Sequence, residues 1–189
     1  AAAAAELAAV LQLYLGDLVP GVVAMSLNCL AILCREECLD FKAAFRIILG
    51  GGKKQAAPKI STTVMENSAL VRTCLAKFCG AVQVEEPDSS SDEEEGETKS
   101  QQIPTLNADT PALLEKLREL CADKEVEVQI AAFESMSLIA EVVLKNHAME
   151  ENSSDPYGMA WMQEVLDIGS NSLKARGHGG GGGSGGKGL

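Results

Sequence analysis

Three stretches of this 189-residue chain carry side chains that could do chemistry. In Ser89-Ser-Ser-Asp-Glu-Glu-Glu95, each of Ser89, Ser90 and Ser91 has an acidic residue three positions later (Asp92, Glu93 and Glu94), a spacing that suits an acidophilic kinase of the casein kinase 2 type. Phosphorylation there would add about −1.5 to −2 charges per site and could dock the segment on a basic partner. A purely solubilising acidic spacer fits the same residues, and both readings stay open. The second stretch, Cys29-x4-Cys34-x3-Cys38, invites a metal or thiol reading, but structural zinc wants a second cysteine pair or histidines at suitable spacing. Here the only histidines, His147 and His178, fall in a polar break and a glycine tail. The third, Gly50-Gly-Gly-Lys-Lys54, offers backbone amides and a lysine to a phosphate, yet it follows a helix and lacks the G-x4-G-K-[ST] spacing, so it reads as a helix end and turn. No catalytic residue, cofactor site or metal site is expected, and the chain reads as non-enzymatic.

The elements around these stretches are helical. Apolar residues recur with helical spacing, few aromatics are present, and no alternating strand pattern with a hairpin dipeptide appears, which predicts an all-α fold. The first helix is expected over residues 3–15, burying Leu7, Val10, Leu11 and Tyr14. The second, over 21–35 after Pro20, is apolar on nearly every side, as in the interior of a layer. Asp40 is the expected N-cap of a helix over 41–49, and one long helix is expected over 61–82. Thr110 caps a helix to about residue 122 with Pro111 in its first turn, Asp123 caps another over 124–145, and a last short helix covers 156–168.

Charge and composition divide the chain. The formal net charge is −11, but Glu85 to Glu97 holds eight acidic residues and no basic one, so the remainder carries only −3. Such a surface does not track phosphates, and no direct nucleic-acid binding is expected. Residues 1–82 read as degenerate helical repeats, 83–109 as an acidic disordered insertion, 110–168 as a helical hairpin plus a short helix, and 169–189 as a glycine-rich disordered tail. The longest apolar run is broken by Ser26 and Asn28, so no membrane span is expected, and six cysteines inside apolar helical patterns read as buried reduced thiols of a cytoplasmic protein. The alanine-rich start without a methionine suggests an internal piece of a longer array, whose neighbouring repeats would be its first partners.

Leu113-Leu114-x-x-Leu117-x-x-Leu120, followed by Asp123 and Val128-x-x-Ala131-Ala132, resembles a HEAT repeat, in which the aspartate caps the second helix and the small apolar residues pack the two helices together. Leu113, Leu117, Asp123, Val128, Ala131 and Ala132 are therefore the expected repeat-packing residues. Many such repeats carry arginine where Gln129 stands, so the ladder of aspartate–arginine contacts between repeats is interrupted at that position. This implies a HEAT/armadillo-like α-solenoid of stacked helical hairpins. Further, Met25 to Phe45 and the Asp123 to Ala132 hairpin resemble the focadhesin family, including its plant Resurrection-type relatives. That resemblance implies a non-catalytic cytoplasmic scaffold whose partners are other proteins, with focal-adhesion or Ski-complex components as the family's associates. A helical adaptor of nuclear-transport or trafficking type, with an acidic phosphorylatable loop, is the alternative.

Overall fold

The computed structural model describes residues 2–49, 60–85, 104–149 and 159–177. Within them the chain is mostly helical: α1 (Ala2–Tyr14), α2 (Pro20–Arg35), α3 (Phe41–Leu49), α4 (Thr62–Asn67), α5 (Ala69–Cys79), α6 (Thr110–Cys121), α7 (Val126–Met149) and α8 (Met159–Gly177). A two-stranded antiparallel ladder, β1 (Val84–Glu85) with β2 (Thr105–Leu106), is an addition to the expected all-α fold. None of these helices is long and apolar enough to cross a membrane.

Pairing of neighbours in sequence gives three helical units. α1 packs on α2, α4 on α5 and α6 on α7, while the second helices of the units also pack on one another, α2 against α5 and α5 against α7. α5 is thus flanked on both sides, and its buried residues (Val71, Arg72, Cys74, Leu75, Ala76, Phe78 and Cys79) run round most of its circumference. α3 rests on α2, and α8 rests on α6. The core follows this row: Leu27, Leu30, Phe41, Leu75, Phe78, Leu113, Leu114, Leu117 and Ile139 are fully buried. Burial of one such aliphatic or aromatic side chain contributes about 1.5–3 kcal/mol, so the joints of α2, α5 and α7 with one another and with α3 and α6 carry much of the hydrophobic stabilisation.

Several boundaries differ from expectation, each for a local reason. The expected helix over 61–82 is two helices, because Ser68 adopts an extended conformation (φ −119°, ψ 105°) and its Oγ accepts from the Val71 amide at 3.3 Å, capping α5. A serine side chain that bonds the backbone favours such a break over helix continuation. In α1 the covered stripe is Ala8, Leu11 and Leu15, while Leu7, Val10 and Tyr14 are exposed. A helix flanked by a single neighbour hides only a narrow stripe, and this one is turned by one residue from the largest side chains. The N-cap of α6 is Asp109, whose Oδ1 accepts from the Ala112 amide, and Thr110 is the first helical residue. α7 begins at Val126, and α8 continues to Gly177, well past residue 168 into what reads in sequence as tail. Asp40 does cap α3, its Oδ1 accepting from the Ala43 amide at 2.7 Å.

α2 ends in a left-handed cap without glycine. Cys38 N donates to Leu33 O at 2.9 Å and Glu37 N to Cys34 O at 3.0 Å, with Glu37 at φ 54°. This is the paired-bond helix stop that glycine usually occupies, so Glu37 holds a conformation that disfavours a side chain.

Candidate interaction surface and the joints that shape it

The joint between α5 and α7 is built around one arginine. Arg72 sits on α5 with its side chain 10% exposed, and its Nε donates to Asp123 Oδ2 at 2.6 Å while a terminal nitrogen reaches Oδ1 at 3.2 Å. The other terminal nitrogen donates to the Met65 and Glu66 carbonyls at 2.9 and 2.7 Å, satisfying carbonyls at the end of α4 that helix geometry leaves without partners. Asp123 Oδ1 also accepts from the Glu125 amide at 2.9 Å, shaping the turn into α7. One planar guanidinium therefore ties α4, α5 and the start of α7 together through bidentate geometry that lysine could not reproduce.

Close packing continues along this joint. Ser135 Oγ donates to Ala76 O at 2.8 Å, and a Cβ on Gly80 would lie 2.6 Å from that hydroxyl, so the end of α5 lies against α7 with no room for a side chain. Below it, Leu113, Leu117, Val128, Ala131 and Ala132 are all buried and brought together between α5, α6 and α7, with Asp123 at the edge. Gln129 does not join the Arg72–Asp123 pair; its Nε2 donates to the Asp123 carbonyl at 2.5 Å and holds the turn instead.

The joint between α2 and α5 is apolar in its centre. Phe41 of α3 stacks on Phe78 at a centroid distance of 5.1 Å and on Phe45 at 5.6 Å, closing one end. At that end Gln83 Nε2 donates to Cys34 O at 2.8 Å, and Asn107 Nδ2 donates to Asp40 Oδ2 at 2.9 Å. Together with the Val84↔Leu106 and Glu85↔Thr105 register, these bonds hold Gln83 to Glu85 and Thr105 to Asn107 beside the α2–α3 turn. Ser89, Ser90 and Ser91 lie outside the described residues, as does Gly50 to Lys54.

Four of the six cysteines, Cys34, Cys74, Cys79 and Cys121, are buried packing groups, whereas Cys29 is half-buried and Cys38, in the turn that follows α2, is exposed, against the expectation that all six are buried. Burial pushes Cys34, Cys79 and Cys121 up to about 12, with Asp40 adding to the rise at Cys34, so none is a thiolate at neutral pH. Burial also raises Cys74, partly offset by a hydrogen bond with Asn28 and by Lys77. All six are reduced, and no cluster of metal-ligating side chains occurs among the described residues. A shallow groove of about 440 Å³ between α6 and α8 is lined by Ala112, Glu115, Arg118, Glu119 and Ile168, and Arg118 there pairs with Glu164 of α8 at 2.5 Å.

What remains accessible is apolar helix surface. Met25 and Ile32 on α2 are 66% and 55% exposed, with Leu7, Val10 and Tyr14 on α1 also exposed, while Cys29 is half-buried beside them. Ile130 and Leu138 project from α7. Sequence reading missed Arg72, although a lone arginine inside the apolar run Leu70-Val71-x-x-Cys74-Leu75 was the available signal. Compared with known proteins, the chain matches no family model, no curated protein and no solved structure.

Proposed function

We propose that the chain is a non-catalytic protein-interaction scaffold: a HEAT-like solenoid segment of stacked helical hairpins, resembling part of a focadhesin-type protein. The observation that carries this reading is the row α2, α5, α7, joined by the Arg72–Asp123 clamp. Sequential hairpins whose second helices stack side by side build an extended surface rather than an enclosed pocket, which suits proteins as ligands. The exposed apolar side chains of α1, α2 and α7 supply contact area of the kind that a partner desolvates. Phosphorylation of Ser89 to Ser91 would add a charged, modification-dependent contact.

Affinity capture from the native cell with the whole chain tests the scaffold reading. The folded chain retains a defined partner in stoichiometric amount, and Arg72→Ala, which parts the second and third hairpins, loses it. A chain that retains nothing beyond what this variant retains overturns the reading. Mass spectrometry of the native protein tests the modification, and unmodified Ser89, Ser90 and Ser91 under all conditions would remove it.

A further inference from the structure

We infer that the outer face of α3, which carries Lys42 and Arg46, is a docking surface for the chain's own acidic stretch, Glu86 to Glu97. This goes beyond the scaffold reading. It does not depend on modification of Ser89 to Ser91, because the stretch already holds seven carboxylates.

α3 is a helix whose cations have no local counterion. Phe41, Ala44, Phe45 and Ile48 are buried against the rest of the protein, which leaves Lys42 and Arg46, one turn apart, together on the exposed side. On α6 and α7, by contrast, Lys116 pairs with Glu119, Arg118 with Glu115 and Lys145 with Glu141, three or four residues along. α3 contains no acidic residue, so neither Lys42 nor Arg46 has such a partner, and no carboxylate pairs with them from another element among the described residues. As like charges at this spacing they repel. The same sign continues in sequence: Phe41 to Lys59 holds five basic residues and no acidic one, within a chain of net charge −11.

The opposite charge is tethered close by. Gln83 Nε2 donates to Cys34 O and Asn107 Nδ2 to Asp40 Oδ2, so the β1–β2 ladder stands at the turn from which α3 departs. Glu85 and Thr105, paired in that ladder, flank in sequence the segment 86–103, which lies outside the described residues. Half of this segment, extended, spans about 30 Å, against about 9 Å along α3 from Asp40 to Arg46, so chain length does not limit the contact. Tethering also raises the local concentration of the carboxylates to about the millimolar range, which lets an exposed charge contact too weak between separate molecules form within one. Direction follows from charge as well. Exposed Glu36, Glu37 and Asp40 precede α3 and repel the stretch from the turn, whereas Lys42 and Arg46 draw it along the helix. The stretch and an acidic partner then compete for α3, and this face is available to such a partner only when the stretch is displaced.

The test is zero-length carbodiimide coupling of the whole chain, which joins a lysine amine to a carboxylate in ion-pair contact with it. Links are read by mass spectrometry on an equal mixture of isotope-labelled and unlabelled protein. Expected are links from Lys42 to carboxylates between Glu86 and Glu97 within one molecule, lost in about 1 M sodium chloride, where the screening length is about 3 Å. Arg46→Glu removes most of them by reversing the neighbouring charge, while the Lys145–Glu141 link persists and circular dichroism shows unchanged helix content. Links from Lys42 only to Glu36, Glu37 or another carboxylate outside the stretch overturn the inference. So do links that Arg46→Glu leaves unchanged, links confined to Lys53, Lys54 or Lys59, links found only between copies, and no link from Lys42 while Lys145 couples to Glu141. Partner capture by the folded chain is measured separately, so the two readings fall separately.

Discussion

The two joints that meet at α5 hold by different physics. Between α2 and α5, fully buried Leu27, Leu30 and Phe78 do the packing, and the hydrogen bonds are few: Asn28 with Cys74, and Gln83 and Asn107 at one end. Between α5 and α7 a nearly buried ion pair, a serine hydroxyl and a glycine contact fix the relative position of the helices. An apolar joint is tolerant of small slides, because hydrophobic burial has no direction. A bidentate clamp with a carboxylate already committed to a backbone amide accepts one geometry. One face of α5 thus supplies cohesion and the other supplies register.

The sharpest way to break both joints at once is alkali. Burial raises the three thiols Cys34, Cys79 and Cys121 from 9.0 to about 12, so the folded chain keeps protons that the unfolded chain releases above pH 9. Stability is then full below pH 9 and falls as pH rises from 9 toward 12, by on the order of 1.4 kcal/mol per pH unit for each thiol. Urea unfolding at pH 8, 9 and 10 reads this. Cys34→Ala removes the contribution of the α2 side and Cys79→Ala that of α5, so the two variants apportion the slope between the joints.

Truncation separates the joints at neutral pH. Phe78→Ala empties the stack with Phe41 and costs about 3–5 kcal/mol, with little dependence on ionic strength. Arg72→Ala costs about 3 kcal/mol, because it leaves the Asp123 carboxylate and the Met65 and Glu66 carbonyls without their donor. A double-mutant cycle with Asp123→Ala recovers most of the Arg72→Ala loss as coupling energy; additive losses would show that the clamp is incidental. Gly80→Ala tests the close approach alone and costs about 1–2 kcal/mol by pushing α5 off Ser135. The smallest change runs the other way: Glu37→Gly relieves the left-handed residue after α2 and raises stability by about 0.5–1 kcal/mol, without affecting the α5–α7 joint.

Much of this architecture was legible in the residue pattern. The periodic leucines of Leu113 to Leu120, the small residues Ala131 and Ala132, the capping Asp40 and the proline at the start of α2 each act within a turn or two of chain, and each does in the structure what its type implies. The break at Ser68 was harder to see, since a serine inside an apolar helical pattern is compatible with either continuation or a cap. The rotation of α1 was hidden for a related reason: an Ala- and Leu-rich helix presents several equally apolar stripes, and only its single neighbour α2 selects the one that includes Ala8.

By itself, then, the sequence determined which segments are helices and where most of them turn, because propensity, capping and hydrophobic spacing are local interactions; that Cys38 is exposed while Cys34 is buried was decided by the turn after α2. Only the tertiary structure decided that Arg72 clamps Asp123, a partner 51 residues away, while Asp17, which likewise accepts from the amide two residues on, has no ion-pair partner among the described residues. Nothing in local spacing can choose which distant carboxylate a guanidinium meets; that choice is made when α5 and α7 bury their faces against one another and set the Asp123 carboxylate against Arg72.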